Sequence, residues 1–178
     1  MDGEENLIQG AARGESSAFG QLYDLYQPRI YRFVLIKVGQ REEAEDLTHQ
    51  VFLNAWQNMK GYKSRGFPFS SWLYRIARNK VIDFYRTKRE SISIDQVDPE
   101  IFLAPAIQQF SFDKNIEAEG LARAIQELEP NYQDVVIMRF VEDLTVAETA
   151  AALKKSQGSV KVIQHRAIKK LKEILKTD

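Results

Sequence analysis

Residues 69–89 read FSSWLYRIARNKVIDFYRTKR, and the spacing of their apolar positions decides the fold. At about 100° per residue, Leu73, Ile76, Ala77 and Phe84 fall on one stripe, while Trp72, Arg75, Asn79 and Arg86 gather on another. That pattern predicts a helix with a core face and a second face offering an indole, an amide and two guanidinium groups to solvent. Guanidinium groups match phosphates, an amide can pair with a base edge, and a flat indole can stack on or wedge beside a base. The same stripe also suits an ordinary solvated basic face, so the flanking sequence has to decide between the two.

The chain around it has 178 residues and 44% apolar content, enough for one large domain or two small ones with buried cores. No apolar run approaches the roughly 18 to 20 residues that span a bilayer, and the start, MDGEENLIQG, is acidic where a signal peptide is basic and then apolar. These features point to a cytoplasmic protein without membrane insertion. There is no cysteine, which excludes disulfides, thiolate nucleophiles and cysteine zinc sites, and His49 and His165 lack metal-ligand spacing. No cofactor is expected. The net charge is zero, yet bases concentrate in 75–89 and again in 154–176, while acids dominate the N-terminus and 95–119. Two local basic footprints on a neutral body predict weak DNA binding by the chain alone.

Outward from the central helix, the spacing predicts helices throughout. Residues 1–15 suit a short first helix. Phe19, Leu22, Tyr26, Ile30, Phe33 and Val34 recur three or four apart up to Gly39, with Pro28 expected to kink or divide the helix. REEAEDLTHQVFLNAWQNM follows, with acids in its first turns. Leu47, Val51 and Ala55 make its inner stripe, and Asp46, His49, Gln50 and Leu53 an outer side that suits either a docking surface or plain solvation. The loop KGYKSRGFPF carries Tyr62, Phe67 and Phe69 among Lys60, Lys63 and Arg65, the mixture a single-strand-binding loop needs; it could also fold back on its own core.

The central helix is expected to end near Lys88. Residues 91–115 lose the helical period and carry Pro99 and Pro105, which marks an apolar, acidic linker. Helical spacing returns near Ile116, with Pro130 suited to a first helical turn. Thr145 to Glu148 fits a capping box, and Ser156 fits the N-cap of a basic helix whose inner stripe is Val160, Ile163, Ala167, Leu171 and Ile174. Lys161, Val162, His165 and Lys169 point away from that stripe. Two helices joined by so short a turn, the second basic, match a DNA-binding helix-turn-helix. The fold class expected is all-α: a first segment at 1–15, a helical domain at 16–90, the linker, and a helix-turn-helix domain at 116–178.

AFGQLYDLY, AEDLTHQVFLNAW, FSSWLYRIARNKVIDFYR, LEPNYQDVVIMRFVEDLTVAETAAAL and SVKVIQHRAIKKL, in this order and spacing, resemble the bacterial sigma-70 family of RNA polymerase sigma factors, extracytoplasmic-function type. The resemblance implies that Asp46, His49, Gln50 and Leu53 dock on core RNA polymerase. It implies that the loop with Tyr62, Lys63, Arg65 and Phe67, and the helix with Trp72 and Asn79, recognise and melt the minus-ten promoter element around a flipped base; Arg75 and Arg86 fall on the same face as phosphate partners. Lys161, Val162, His165 and Arg166 would read the minus-thirty-five element, and an anti-sigma factor would hold the free protein inactive. Three departures stand out. His49 and Gln50 replace the more common Gln-Glu, VKVIQHRA replaces VKSRLHRA so that Ile163 becomes core, and Thr149 stands where isoleucine is usual.

Such a protein is not an enzyme, since the catalysis belongs to the polymerase it joins. A stand-alone helix-turn-helix regulator would account for 145–175 but not for the aromatic and cationic loop. A hydrolase built on Glu42, Glu43, Glu45 and Asp46 lacks a nucleophile or metal constellation, and those acids equally fit the dipole preference of a helix N-terminus.

Overall fold

A computed structural model describes residues 2–92 and 116–176. The described residues form helices only: α1 (Asp2–Ala12), α2 (Ser16–Val38), α3 (Arg41–Asn58), α4 (Phe69–Ile92), α5 (Ile116–Gln126), α6 (Pro130–Val136), α7 (Val146–Leu153) and α8 (Gln157–Ile174). The fold is all-α, as the spacing predicts. Most of the linker expected at 91–115, with its apolar residues and acidic character, lies outside the described residues.

Chain chemistry sets the helix ends. Gly39 closes α2 in the left-handed region (φ 75°), its N–H donating to the Leu35 carbonyl. Thr145 and Glu148 form both bonds of the capping box, at 3.2 and 2.6 Å, and the Ser159 N–H donates to Ser156 Oγ at 3.1 Å. Pro130 sits at the start of α6. Two expectations change. Helix α2 is not divided at Pro28 but runs on through it, because Pro28 and Asp24 are both exposed and water can take the carbonyl bond that proline leaves open. Helix α4 continues past Lys88 to Ile92.

Helices α2, α3 and α4 enclose a first core of Leu22, Ile30, Phe33, Leu47, Val51, Ala55, Leu73 and Ala77, with α1 against α2. Each large aliphatic buried there contributes about 1.5–3 kcal/mol. Val135, Ile137, Met138, Leu144, Leu153, Val160 and Ala167 lie in the core of the second half. Ile163, Leu171 and Ile174 pack at its edge. On α4 the first turn (Phe69, Ser70, Ser71) and then Leu73, Tyr74, Ala77 and Val81 are buried, whereas Ile76 and Phe84 are only half-buried. Tyr74, outside the expected stripe, is covered by Phe33 of the first core on one side and by Glu142 of the other half at its hydroxyl.

The two halves pack against one another mainly through α4 against α7 and α2 against α5, with ion pairs from Asp134 of α6 and from Glu142 beyond it. Two carboxylates from the second half are buried at this interface. Glu142, with a side chain 0% exposed, accepts from Arg32 Nε (2.6 Å) and Nη2 (2.9 Å), from Arg29 Nε (3.3 Å) and from the Tyr74 hydroxyl (2.9 Å). Asp134 accepts from Lys37 Nζ and from Arg78 Nε (2.7 Å). The α6 helix widens into a single π turn over Ile137–Val141. The Glu142 N–H then closes on the Ile137 carbonyl at 2.9 Å, and Asp143 takes the left-handed region (φ 55°), which aspartate tolerates better than most residues. Burial, and then the Glu142 carboxylate, pushes the Tyr74 phenol far above the usual tyrosine range, so it stays a donor.

Thr149 is fully buried in α7, and its hydroxyl finds no partner among the described residues. An unmade bond of this kind costs about 1–3 kcal/mol. Thr149→Val keeps the shape and removes the hydroxyl, so denaturant unfolding should show a gain of about 1 kcal/mol or more. A loss would mean that the hydroxyl has a partner after all.

Candidate functional site

The loop after α3 begins with one tight turn, Met59–Gly61, which buries Met59. Arg65 and Gly66 both lie in the left-handed region (φ 49° and 79°) and return the chain to Phe69, the first residue of α4. Phe69 is buried and anchors an aromatic cluster, with ring centres 5.2 Å from Tyr62, 5.4 Å from Trp72 and 5.7 Å from Tyr26. Tyr62 and Trp72 also meet at 4.8 Å. Trp72 is therefore half-buried rather than presented to solvent: the loop folds over its indole. Burial, helped by the Glu4 carboxylate, keeps the Tyr62 phenol neutral.

A cleft of about 880 Å³ opens beside this cluster. It gathers Tyr62, Lys63, Arg65, Phe67, Trp72 and Arg75, and its far wall comes from Ala151 and Lys154 of the second half. Four cations and no carboxylate line it, so its potential is positive, while Phe67, 43% exposed, supplies an open ring face. A positive cleft with aromatic surfaces suits a phosphate chain with unstacked bases. Asn79 and Arg86 do not join it. Both are exposed further along α4, Arg86 3.3 Å from Asp83 of its own helix. Arg75 is not solvent-facing as its stripe predicts, because it donates through Nη2 to the Ala151 carbonyl while its Nε is buried without a partner among the described residues.

The outer side of α3 is open. Asp46 and His49 are exposed, Leu53 is 50% exposed, and Gln50 donates to Asp46 at 2.8 Å. Asp46 and Gln50 border a shallow groove of about 360 Å³ completed by Lys80, Asp83, Phe84, Thr87 and Lys88 of α4; His49 and Leu53 lie outside it. This second wall escapes a helix-by-helix reading, since it exists only where α3 and α4 lie side by side. Lys154 escapes it too. It ends α7 in the left-handed region (φ 53°), the Lys155 N–H returning to the Ala150 carbonyl at 3.0 Å, and this makes the sharp turn into α8. On α8, Lys161, Val162, His165 and Arg166 are all exposed, about one to two and a half turns from its N-terminus. A helix presenting such a face after a short turn can enter a major groove. Among the described residues there is no cluster of histidine and acidic side chains able to hold a metal ion.

Known proteins are similar to this chain in sequence and in fold. Family models described as Sigma-70 region 2 and Sigma-70, region 4 match residues 22–91 and 124–173. The ECF RNA polymerase sigma factor BldN of Streptomyces coelicolor is 35% identical over 175 residues, covering 97% of this chain and 66% of that protein. The ECF RNA polymerase sigma factor SigD of Mycobacterium tuberculosis is 31% identical over 183 residues, covering 97% of this chain and 85% of its own length. A solved structure of the sigma factor RpoE in complex with the anti-sigma factor NepR, from Bartonella quintana, shares the fold with a TM-score of 0.76 at 22% identity, over 90% of this chain and 98% of that one.

If the exposed α8 face meets DNA phosphates, Lys161→Ala and Arg166→Ala should each weaken duplex binding, with the slope of log affinity against log salt falling by about 0.9 per lost contact. An unchanged slope in both variants would take α8 out of the interface. Fluorescence anisotropy over a salt series reads this directly.

Proposed function

The chain belongs to the sigma-70 family, extracytoplasmic-function type, and on that premise we propose that it binds core RNA polymerase and directs promoter-specific initiation. It recognises and melts the minus-ten element and reads the minus-thirty-five element. The observation that carries this reading is the face formed by the 62–68 loop and α4, which combines the cations Lys63, Arg65 and Arg75 with open aromatic surface in a chain that also exposes the recognition face of α8. A stand-alone regulator would need only the helix-turn-helix, and nothing in it calls for a region 2 match over residues 22–91.

The division of labour follows the faces. Residues 16–90 serve polymerase docking, through Asp46, His49, Gln50 and Leu53, and minus-ten recognition. There Tyr62, Phe67 and Trp72 stack on unpaired bases, Asn79 reads a base edge, and Lys63, Arg65, Arg75 and Arg86 neutralise phosphates. Flipping a base costs a few kcal/mol of unstacking, and stacking on an aromatic side chain returns about 1–3 kcal/mol per base, so the two are of the same size and the cations tip the balance. Residues 116–178 serve the minus-thirty-five element through Lys161, Val162, His165 and Arg166, with 91–115 as the connection. Relatives of the chain are sigma factors, which are not enzymes; here too the chemistry belongs to the polymerase. No helix among the described residues is long and apolar enough to cross a membrane, and we place the protein in the cytoplasm with its polymerase. An anti-sigma factor is its expected inhibitor.

Titration of labelled protein with core polymerase, in competition with an established sigma factor, tests the reading. Salt-sensitive competition is expected, and absence of binding by folded protein would overturn it. Asn79→Ala should impair promoter opening, followed by permanganate reactivity, and leave core binding intact, because Asn79 does not line the groove that Asp46 and Gln50 share with α4. Equal loss of both would end the proposed division.

A further inference from the structure

We propose that the free chain is self-closed: Glu142 and Asp134 of the second half, seated on Arg29, Arg32, Lys37 and Arg78 of the first, form an ionic latch that must open before the protein can engage a promoter. The closed geometry is that of the structure, and only its consequence for initiation rests on the function proposed above.

Three observations carry it. First, the closed form occupies Arg75 of the minus-ten face, with Ser71 beside it. Ser71 Oγ donates to the Glu148 carbonyl at 3.2 Å, Arg75 donates to the Ala151 carbonyl, and α7 lies along α4. Arg75 is poorly served there, with its Nε buried and unpartnered among the described residues, so α7 holds it in place without replacing a phosphate. Second, the closed form cannot span the promoter. Elements centred about 25 base pairs apart lie about 85 Å along B-DNA at about 3.4 Å per step, whereas a compact chain of 178 residues has a radius of gyration of only about 16 Å. The 23 residues between the described parts reach about 76–83 Å when extended, so the covalent connection permits the separation that the latch forbids.

Third, the latch chemistry suits reversal. Both carboxylates come from the stretch of α6 and its π turn, and all four cations come from α2 and α4. Burying such ions costs about as much hydration as their pairing returns. Opening therefore rehydrates these ions, which offsets part of the cost of parting the apolar surfaces packed beside them. The cost is one-sided, because removing one partner strands the opposite charge. Arg29 and Arg32 keep 37% and 42% of their side chains exposed, so salt can reach and weaken the pairing with Glu142.

The absence of native cysteine makes the test direct. Gln57→Cys and Lys172→Cys, both exposed and outside the latch, take a donor and an acceptor dye on the full chain, read by single-molecule energy transfer without polymerase. The wild-type latch should give a dominant high-transfer population that declines as salt rises. Glu142→Arg should raise the open-to-closed ratio at least tenfold, and adding Arg32→Glu to it should restore closure in part, a rescue that mere destabilisation of the second half would not give. The pair Arg29→Ala and Arg32→Ala, made in α2 and outside the second core, should open the chain in the same way with helical circular dichroism unchanged. An open wild type at moderate salt, or latch variants with wild-type transfer, would overturn the proposal. The same samples titrated with core polymerase separate the two questions, since failure to bind core defeats the sigma-factor reading while leaving the transfer result intact.

Discussion

A carboxylate that leaves water must find its donors in the protein, and Glu142 finds five hydrogen bonds' worth of organisation around it. Its two oxygens take a two-pronged grip from Arg32, a third bond from Arg29 and a fourth from Tyr74, while its own carbonyl accepts from Arg29 Nη2 at 2.6 Å. Each bond fixes something else. Arg29 and Arg32 stand three apart on α2 and so share a face. Tyr74 packs its ring edge-on against Phe33 of the first core, 5.5 Å between centres, and turns its hydroxyl to the second half. The π turn after α6 gives the loop the offset that delivers Glu142 to this place. Asp134, two turns earlier, repeats the arrangement with Lys37 and Arg78, and Tyr85 and Gln126 tie the end of α2 through the Lys37 and Ile36 carbonyls.

Local grammar was readable from the chain. The capping box at Thr145, the cap at Ser156, the glycine stop at Gly39 and the start at Pro130 depend on neighbours within four residues, and all appear in the structure. The inner stripes of α3 and α8 were legible for the same reason. What stayed hidden depends on the other half of the molecule. Tyr74 and Glu142 look like a helical tyrosine and a solvated acid until the two halves are brought together. A signal for the latch does exist: Lys37 interrupts the buried run Phe33-Val34-Leu35-Ile36, and Asp134 precedes Val135-Val136-Ile137-Met138, also buried throughout. A charge embedded in a segment with no polar side demands a partner of opposite sign, and each run carries the sign the other lacks.

The candidate site divides along the same line. The faces of α3 and α8 were legible as sets of exposed residues, because one helix supplies each, and all eight predicted members lie on or at the surface. The α4 face was legible only in composition. Six of its eight predicted residues line one cleft, yet Trp72 is folded under the loop and Arg75 is held by α7. Both departures come from contacts distant in sequence, which helical periodicity cannot encode.

Charge balance gains a physical meaning from this arrangement. A chain with equal numbers of acids and bases would seem ill-suited to a polyanion, but its carboxylates are not spread evenly. Two of them are buried against four cations of the first half, and the cleft and the α8 face keep a positive character. Closing the molecule therefore neutralises cations on α2 and α4 internally, and opening it returns them to solvent, where they add to the field that meets DNA. Affinity for a polyanion and separation of the halves are thus coupled by simple electrostatics: each favours the other, and the coupling weakens as salt screens both.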